Sequence, residues 1–543
     1  MTDPSPSGGA DPGGSFTGTA RIVRLILRRD RLRLALWIAG VASMVVISAA
    51  SLLATYPDQA TIDAYGSVFS GNPALVAFAG PGYGMDDPNI GVILVNEVQL
   101  WGIIALGLMS IFLVNRHTRA EEDVERADLL RSSVLGRHAV AAATVAVVTA
   151  AHAVIALLCA VGFVALDYPT VGSLALALSY LAMGWMFVGV TLVTAQVAAS
   201  GRGTLGMASI VLGVSFVVRA VGDVADSAVR WASPMAWPQS VRAFAGEQWW
   251  VLGLCAAVGG VLVLAGFWLS TRRDLGSGFL SPAPGRARAG AMLRHPVGFA
   301  VHLHRWALVS WTFAMFVLGA VYASVADDIE KMMVDNPVYA DLLAQLQGAD
   351  PTESYVATVM VMQGLMVAGY AIATVLHLHT EETSSRVEQV LATATSRTRW
   401  MASYLTLAAA GTAVITLASG LGTGLSYAWV TDDGHQVGRV VIAALVTLPA
   451  IAVLAGVAVA LFGWWPRHVA GAWGVLAATT VVAILAEVLR LPTWVRQLSP
   501  FTHLPKVPAE AVHWPPILIL SAIAVALTAA GVWGFNRRDI QAH

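Results

Sequence analysis

About twelve stretches of roughly 20 mostly apolar residues follow one another along this chain, and no other feature restricts its fold as much. They run near 34–55, 92–114, 139–163, 172–198, 204–221, 249–270, 306–325, 355–377, 401–426, 438–463, 468–489 and 515–535. Each is long enough to cross a bilayer as a helix. With 57% hydrophobic and only 12% charged residues, the chain carries more apolar surface than a water-soluble core can bury. The expected fold class is therefore an all-α integral membrane protein of about twelve transmembrane helices.

The charges set an orientation. Short cytoplasmic loops carry an excess of basic residues. Arg21, Arg24, Arg28, Arg29, Arg31 and Arg33 precede the first span, and Arg116 to Arg137 follow the second. Arg202 follows the fourth, and Arg272 to Arg305 lie after the sixth. The alternate loops are acidic, with Asp58, Asp63, Asp86 and Asp87 after span one and Asp327, Asp328, Glu330 and Asp335 after span seven. This places both termini in the cytoplasm of a multi-pass protein of the cell membrane. The segment from Arg21 to Arg33 interleaves apolar residues with arginines, which suits a helix on the anionic inner leaflet and equally suits a simple topogenic signal. Residues 1–18, rich in Ser, Gly and Pro, read as a disordered cytoplasmic tail. The formal net charge of −1 excludes a nucleic-acid binder, which needs clustered basic residues. Cys159 and Cys255 both lie in apolar runs, as small hydrophobes rather than a disulfide pair.

The chain repeats itself. RAEEDVERADLLRSSVLGR after the second span matches HTEETSSRVEQVLATATSR after the eighth, 260 positions on and without a gap. Glu121, Glu122, Arg126, Asp128 and Arg137 align with Glu381, Glu382, Arg386, Glu388 and Arg397. Ser233-Pro234 matches Ser499-Pro500, and Arg272-Arg273-Asp274 matches Arg537-Arg538-Asp539. Six spans separate the copies, so both enter the membrane with the same orientation, as two parallel six-helix repeats forming a fused pseudodimer. The expected domains are a first half over 19–284 and a second over 285–543.

Glu122 stands four residues before Arg126, and Glu382 four before Arg386, the favourable order for an ion pair on a helix. Val387, Val390, Leu391 and Ala394 form an apolar stripe beside the second pair. Each copy reads as a short amphipathic helix outside the membrane. One copy alone is an ordinary solvated stop-transfer segment; two matching copies suit docking onto a pair of cytoplasmic partners.

The EE-x3-R-x-E/D pattern in each half, Arg137 and Arg397, the Ser-Pro pair before each last span, and RRDLGSG after the sixth resemble actinobacterial ABC exporter permeases of the polyketide-antibiotic exporter type. The likeness spans nearly the whole chain, though the second half lacks the Gly that follows RRDL in the first. It implies that each half is a type 2 ABC export domain whose segment after the second span contacts an ATPase. Glu121, Glu122, Arg126, Asp128, Arg137 and Glu381, Glu382, Arg386, Glu388, Arg397 would then lie on the coupling surface. The chain's two lysines, Lys331 and Lys506, follow no phosphate-binding glycine loop. ATP and Mg would be bound by a separate ATPase subunit, expected in two copies, and this chain would bind no cofactor or metal and be no enzyme.

The competing class is a proton-coupled secondary multidrug transporter, which needs ionisable groups deep in the membrane. His152, Glu97, Arg219, Glu487 and Arg490 are the candidates. A membrane enzyme is a third class, but Asp86-Asp87 and Asp327-Asp328 have no His or Cys at ligand spacing, and His302-His304 and His377-His379 are juxtamembrane. A small hydrophobic or amphipathic cargo such as an antibiotic would meet Trp101, Met109, Phe216, Met362, Met366 and Trp473, although such residues also serve plain packing. The Pro- and Trp-containing segments 233–250 and 499–514 read as broken interfacial helices at the outer side.

Overall fold

The structure, a computed structural model, describes residues 14–69, 73–123, 135–273, 278–280, 288, 290–324, 351–384, 386–485 and 492–539. Every regular element among them is helical, and the chain divides into two compact units, Met1–Pro284 and Gly285–His543.

In the first unit, α1 (Thr19–Arg29) leads directly into α2 (Arg31–Thr55), the first span. Two short helices follow, α3 (Gln59–Phe69) and α4 (Pro73–Ala79). The second span is continuous from α5 (Ile90–Leu94) through a π turn, Val95–Gln99, into α6 (Leu100–His117) and then α7 (Arg119–Glu122). Spans three to five are α8 (Ala139–Ala165), α9 (Thr170–Val197) and α10 (Gly201–Val224). A short α11 (Ala236–Gln239) precedes the sixth span, α12 (Trp249–Thr271).

Helix α9 is the hub, packing on α6, α8, α10 and α12. Hydrocarbon gives helices no hydrophobic reason to associate, so close backbone approach must supply the attraction. Glycine permits it here: a Cβ on Gly189 would lie 2.7 Å from Leu262 Cβ, and one on Gly266 would lie 2.6 Å from Leu192 Cγ. Trp185 Nε1 donates to the Ala256 carbonyl at 3.1 Å across the same contact. Helix α1 lies against α8 with Ile22 and Ile26 buried and its arginines outward. Residues 14–18, expected to belong to the disordered tail, are instead tied to the start of α8: His138 N donates to Ser15 O at 2.9 Å and Gly136 N to Thr17 O at 2.8 Å.

The second unit contains α13 (Pro296–Ser324), α14 (Pro351–Thr383), α15 (Arg386–Leu391) and α16 (Arg397–Thr431). Span ten is two helices, α17 (His435–Val446) and α18 (Leu448–Trp464), broken at Thr447 just ahead of Pro449. Then come α19 (Gly471–Leu485), the single turn α20 (Thr493–Arg496) and the last span α21 (Trp514–Arg537). Helix α18 packs on α21, where Gly463 and Gly531 face each other and Trp464 Nε1 donates to Ala530 O at 3.0 Å.

Eleven helices among the described residues are long and apolar enough to cross a membrane. The expected eleventh span departs from this. Its described part, α19, has 15 residues, about 22 Å at 1.5 Å each, short of a ~30 Å hydrocarbon core. Glu487 and Arg490 lie outside the described residues.

Gly189→Val should force α9 and α12 apart and lower stability by about 1–3 kcal/mol. Gly253→Ala, where an added Cβ meets nothing within 4 Å, should leave Tm in detergent unchanged.

Candidate coupling site

The arginine-rich end of each unit is organised around a glutamate carboxylate that an arginine grips through both oxygens. In the first unit, Thr118 leaves helical geometry at φ −118°, ψ −94°, and α7 restarts at once, carrying Glu121 and Glu122 on an extension of the second span. Glu122 receives the Arg273 guanidinium through both its oxygens, at 2.6 and 2.8 Å, and Arg119 Nη1 at 2.8 Å. Arg273 also donates from Nε to Gln196 Oε1 at 2.6 Å, which ties in the end of α9. Arg119 is fully buried and donates to Ala199 O at 2.6 Å. Asp123 Oδ2 accepts from Gly201 N at 2.6 Å, satisfying a free N–H at the start of α10. Arg137 Nη2 donates to Ser270 O at 2.9 Å. The second span's extension is thereby fixed to spans four, five and six.

A second cluster holds α1. Glu121 pairs with Arg29 at 2.7 Å, and the buried Asp30 carboxylate receives Arg116 at 2.9 and 3.2 Å and Arg33 at 3.0 Å, with His117 Nε2 lying 2.9 Å away. Burial pushes the Asp30 carboxyl upward, but the Arg116 hydrogen bond and the charges of His117, Arg116 and Arg33 outweigh it and hold the group below its ordinary value. A cavity of about 540 Å³ lies between α1 and these residues, lined by Ile22, Ile26, Arg29, Glu121, Arg137 and Arg273 among others.

The second unit repeats the central pair. Glu382, 3% exposed at the end of α14, receives Arg538 through both oxygens at 2.5 and 2.6 Å. The guanidinium carbon of Arg538 also lies 5.0 and 5.1 Å from the ring centroids of Phe462 and Phe535. Arg397 Nη1 donates to Arg538 O at 3.0 Å, as Arg137 donates to the end of α12. The matched motifs after the second and sixth spans of each half are thus the two partners of one bidentate latch.

This corrects the reading of the repeated segment. The expected Glu382–Arg386 pair does not form, because Arg538 takes both oxygens of Glu382. Arg386 instead leans towards Glu381 at 3.5 Å, with His377 Nε2 3.9 Å from the same oxygen. Arg126 and Asp128 lie outside the described residues. The acidic pairs sit on continuations of spans two and eight, and in the second unit α15 follows as a distinct element. Of the expected stripe, Val387 is buried and Val390 and Leu391 pack against the unit's own core, while Ala394 lies beyond the helix and is exposed. The outward groups are Arg386, 51% exposed, and Glu388. Beside them a groove of about 490 Å³ is lined by Glu388, Leu391, Ala392, Thr395, Ser396 and Arg397.

The residues read as a substrate path separate. Met109 is fully buried in the core of the first unit. Phe216 is half-buried beneath the Arg219 guanidinium, 4.8 Å from its ring centroid. Met362 is half-buried, whereas Trp101, Met366 and Trp473 are exposed. His152 is a packing residue: its Nε2 lies 3.3 Å from Ser110 Oγ, and its ring fills the space beside Gly184, where a Cβ would come within 2.6 Å. No group of three metal-ligating side chains occurs among the described residues, and the rings of His304 and His377 meet edge-on at 4.4 Å. Of the Trp-containing segments, 233–250 holds the single-turn α11 (Ala236–Gln239) and 499–514 holds a 3-10 turn at Pro500–His503.

Long apolar helices in two units, each closed at its arginine-rich end by an internal ion-pair latch, define an all-α, multi-pass membrane permease. Residues 293–536 match the family model of the multidrug efflux system permease Rv1217c, C-terminal domain. The chain is also 36% identical over 532 residues to the multidrug efflux system permease protein Rv1217c of Mycobacterium tuberculosis, covering 97% of this chain and 96% of that one. It belongs to the family of that permease.

Removing one partner of a buried pair strands a charge, so Arg538→Ala should cost about 3–5 kcal/mol and lower Tm sharply. The exchange Glu382→Arg with Arg538→Glu should recover part of the loss in a double-mutant cycle. The Asp30 cluster should show in the pH dependence of Tm. With its folded pKa depressed, Asp30 contributes fully above the ordinary value of 3.8, and the contribution is lost as pH falls through the lower folded value. Asp30→Asn should flatten that acid limb.

Proposed function

We propose that this chain is the membrane subunit of an ATP-driven exporter of the polyketide-antibiotic exporter type, expelling hydrophobic or amphipathic compounds such as antibiotics. Two copies of a separate ATPase subunit, carrying ATP and Mg, dock at the arginine-rich ends of the two halves, which face the cytoplasm of the cell membrane together with both termini. The observation that carries this reading is the latch present in both halves, Glu122 to Arg273 and Glu382 to Arg538. A push delivered to the extension of the second span reaches the sixth through a short, bidentate, largely buried contact, which is what an external motor requires. The docking contacts are then the exposed groups, Arg386, Glu388 and the groove beside them, while Glu122 and Glu382 position the segment from inside. The name of the Rv1217c permease supports efflux as the direction and a drug-like cargo. A proton-coupled carrier finds less support, because among the described residues His152 contacts a serine and a glycine and no carboxylate.

The combined change Arg386→Glu with Glu388→Arg tests the docking face. An ATPase should co-purify with the wild-type chain from solubilised membranes and be lost, at least about tenfold, from the variant, with Tm unchanged because both side chains are solvated. Transport that persists without any associated ATPase, and that collapses with the proton gradient, would establish the carrier instead.

A further inference from the structure

The opposite end of the first unit holds an arrangement that energy coupling leaves unused. The π turn Val95–Gln99 interrupts the second span, an irregularity that recurs at functional positions in helices. It turns Asn96 and Gln99 into the protein and leaves Glu97 exposed. Four residues on, Trp101 is 46% exposed. Helix α4 lays Phe78 edge-on to Trp101, with centroids 5.4 Å apart. Helix α3 brings the Tyr65 hydroxyl to donate to Glu97 Oε1 at 2.6 Å, and Tyr56 meets Tyr65 edge-on at 5.5 Å. Burial, and then the neighbouring Glu97 charge, raise the Tyr65 phenol far above its usual value, so it remains a donor. Arg219, which also reaches α4, is fully buried and already engaged by Ala77 O at 2.6 Å, Phe78 O at 3.2 Å and Asp223 at 3.5 Å.

A carboxylate set beside aromatic rings, of which Trp101 is exposed while Phe78 and Tyr65 are half-buried, is the chemistry that recognises an organic cation. The ring faces and the carboxylate both attract the charge, and the rings cover the apolar groups around it. A neutral compound of the same shape gains only the rings. We propose that Glu97, Trp101, Phe78 and Tyr65 form a binding site for lipophilic organic cations, which makes such cations one class of cargo. The assignment of cargo rests on the efflux reading above; the binding site itself does not.

The test is equilibrium binding to the full-length chain in nanodiscs, comparing radiolabelled tetraphenylphosphonium with neutral triphenylphosphine oxide. Wild-type protein should bind the cation, and Glu97→Gln should weaken that binding about tenfold while changing the neutral compound's affinity by no more than about twofold. Trp101→Ala should weaken both, and Glu97→Asp should keep most of the cation affinity. Cation binding that is absent from the wild type or unchanged in Glu97→Gln, or an equal loss for both probes, overturns the site. Thermal melting identifies a variant that does not fold, in which case Glu97→Asp and Trp101→Phe carry the comparison. The efflux reading is judged separately: export of a neutral hydrophobic dye without cation binding sinks the site alone, and intact cation binding without export of any compound sinks the efflux reading alone.

Discussion

A peptide group inside a bilayer has no water to bond with, so each apolar segment must satisfy its own backbone as a helix, and the helices must then find reasons to stay together. Lipid tails are as greasy as leucine, so burying apolar surface supplies little. The chain answers with close contacts through small residues in the membrane and with charge at the ends. Gly189 and Gly266 bring α9 and α12 within reach, and Gly463 and Gly531 do so for α18 and α21. Where the helices leave hydrocarbon, guanidinium groups fasten them.

The latches show how a buried charge can serve rather than burden the fold. Glu382 is nearly inaccessible, yet both oxygens are occupied by Arg538, whose planar face also lies against Phe462 and Phe535. A lysine would offer neither the two-pronged contact nor the flat face. The contact is short and directional, so it holds the second span's extension at a fixed distance from the sixth span. In the first half Gln196 and Asp123 widen the same device to the fourth and fifth spans.

Much of the architecture was readable because hydrophobic runs and arginine-rich loops are local properties of sequence. The repeat was readable because Glu121-Glu122 and Arg272-Arg273 each recur in order. That these motifs are partners was not, since Glu122 and Arg273 lie 151 residues apart and spacing says nothing about contacts over that distance. Helical periodicity correctly grouped Val387, Val390 and Leu391 on one face, but it could not tell whether that face met a partner protein or the chain's own core. The same limit applies to Met109: an apolar side chain on a membrane helix looks alike in sequence whether it faces a path or a neighbour. The π turn, which decides where Glu97 points, has no signature in residue type.

The two latches match, but their surroundings do not. His117 leans on the Asp30 carboxylate, whereas His377, at the aligned position, meets the ring of His304 and stands near Glu381. In a symmetric dimer of identical chains every substitution is made twice, so a change that helps one subunit but harms the other is inseparable from its cost. Fusing the copies into one polypeptide removes that tie. Each half can then keep the latch both contain while the residues around it follow separate histories, and one half can come to differ from the other without a second gene.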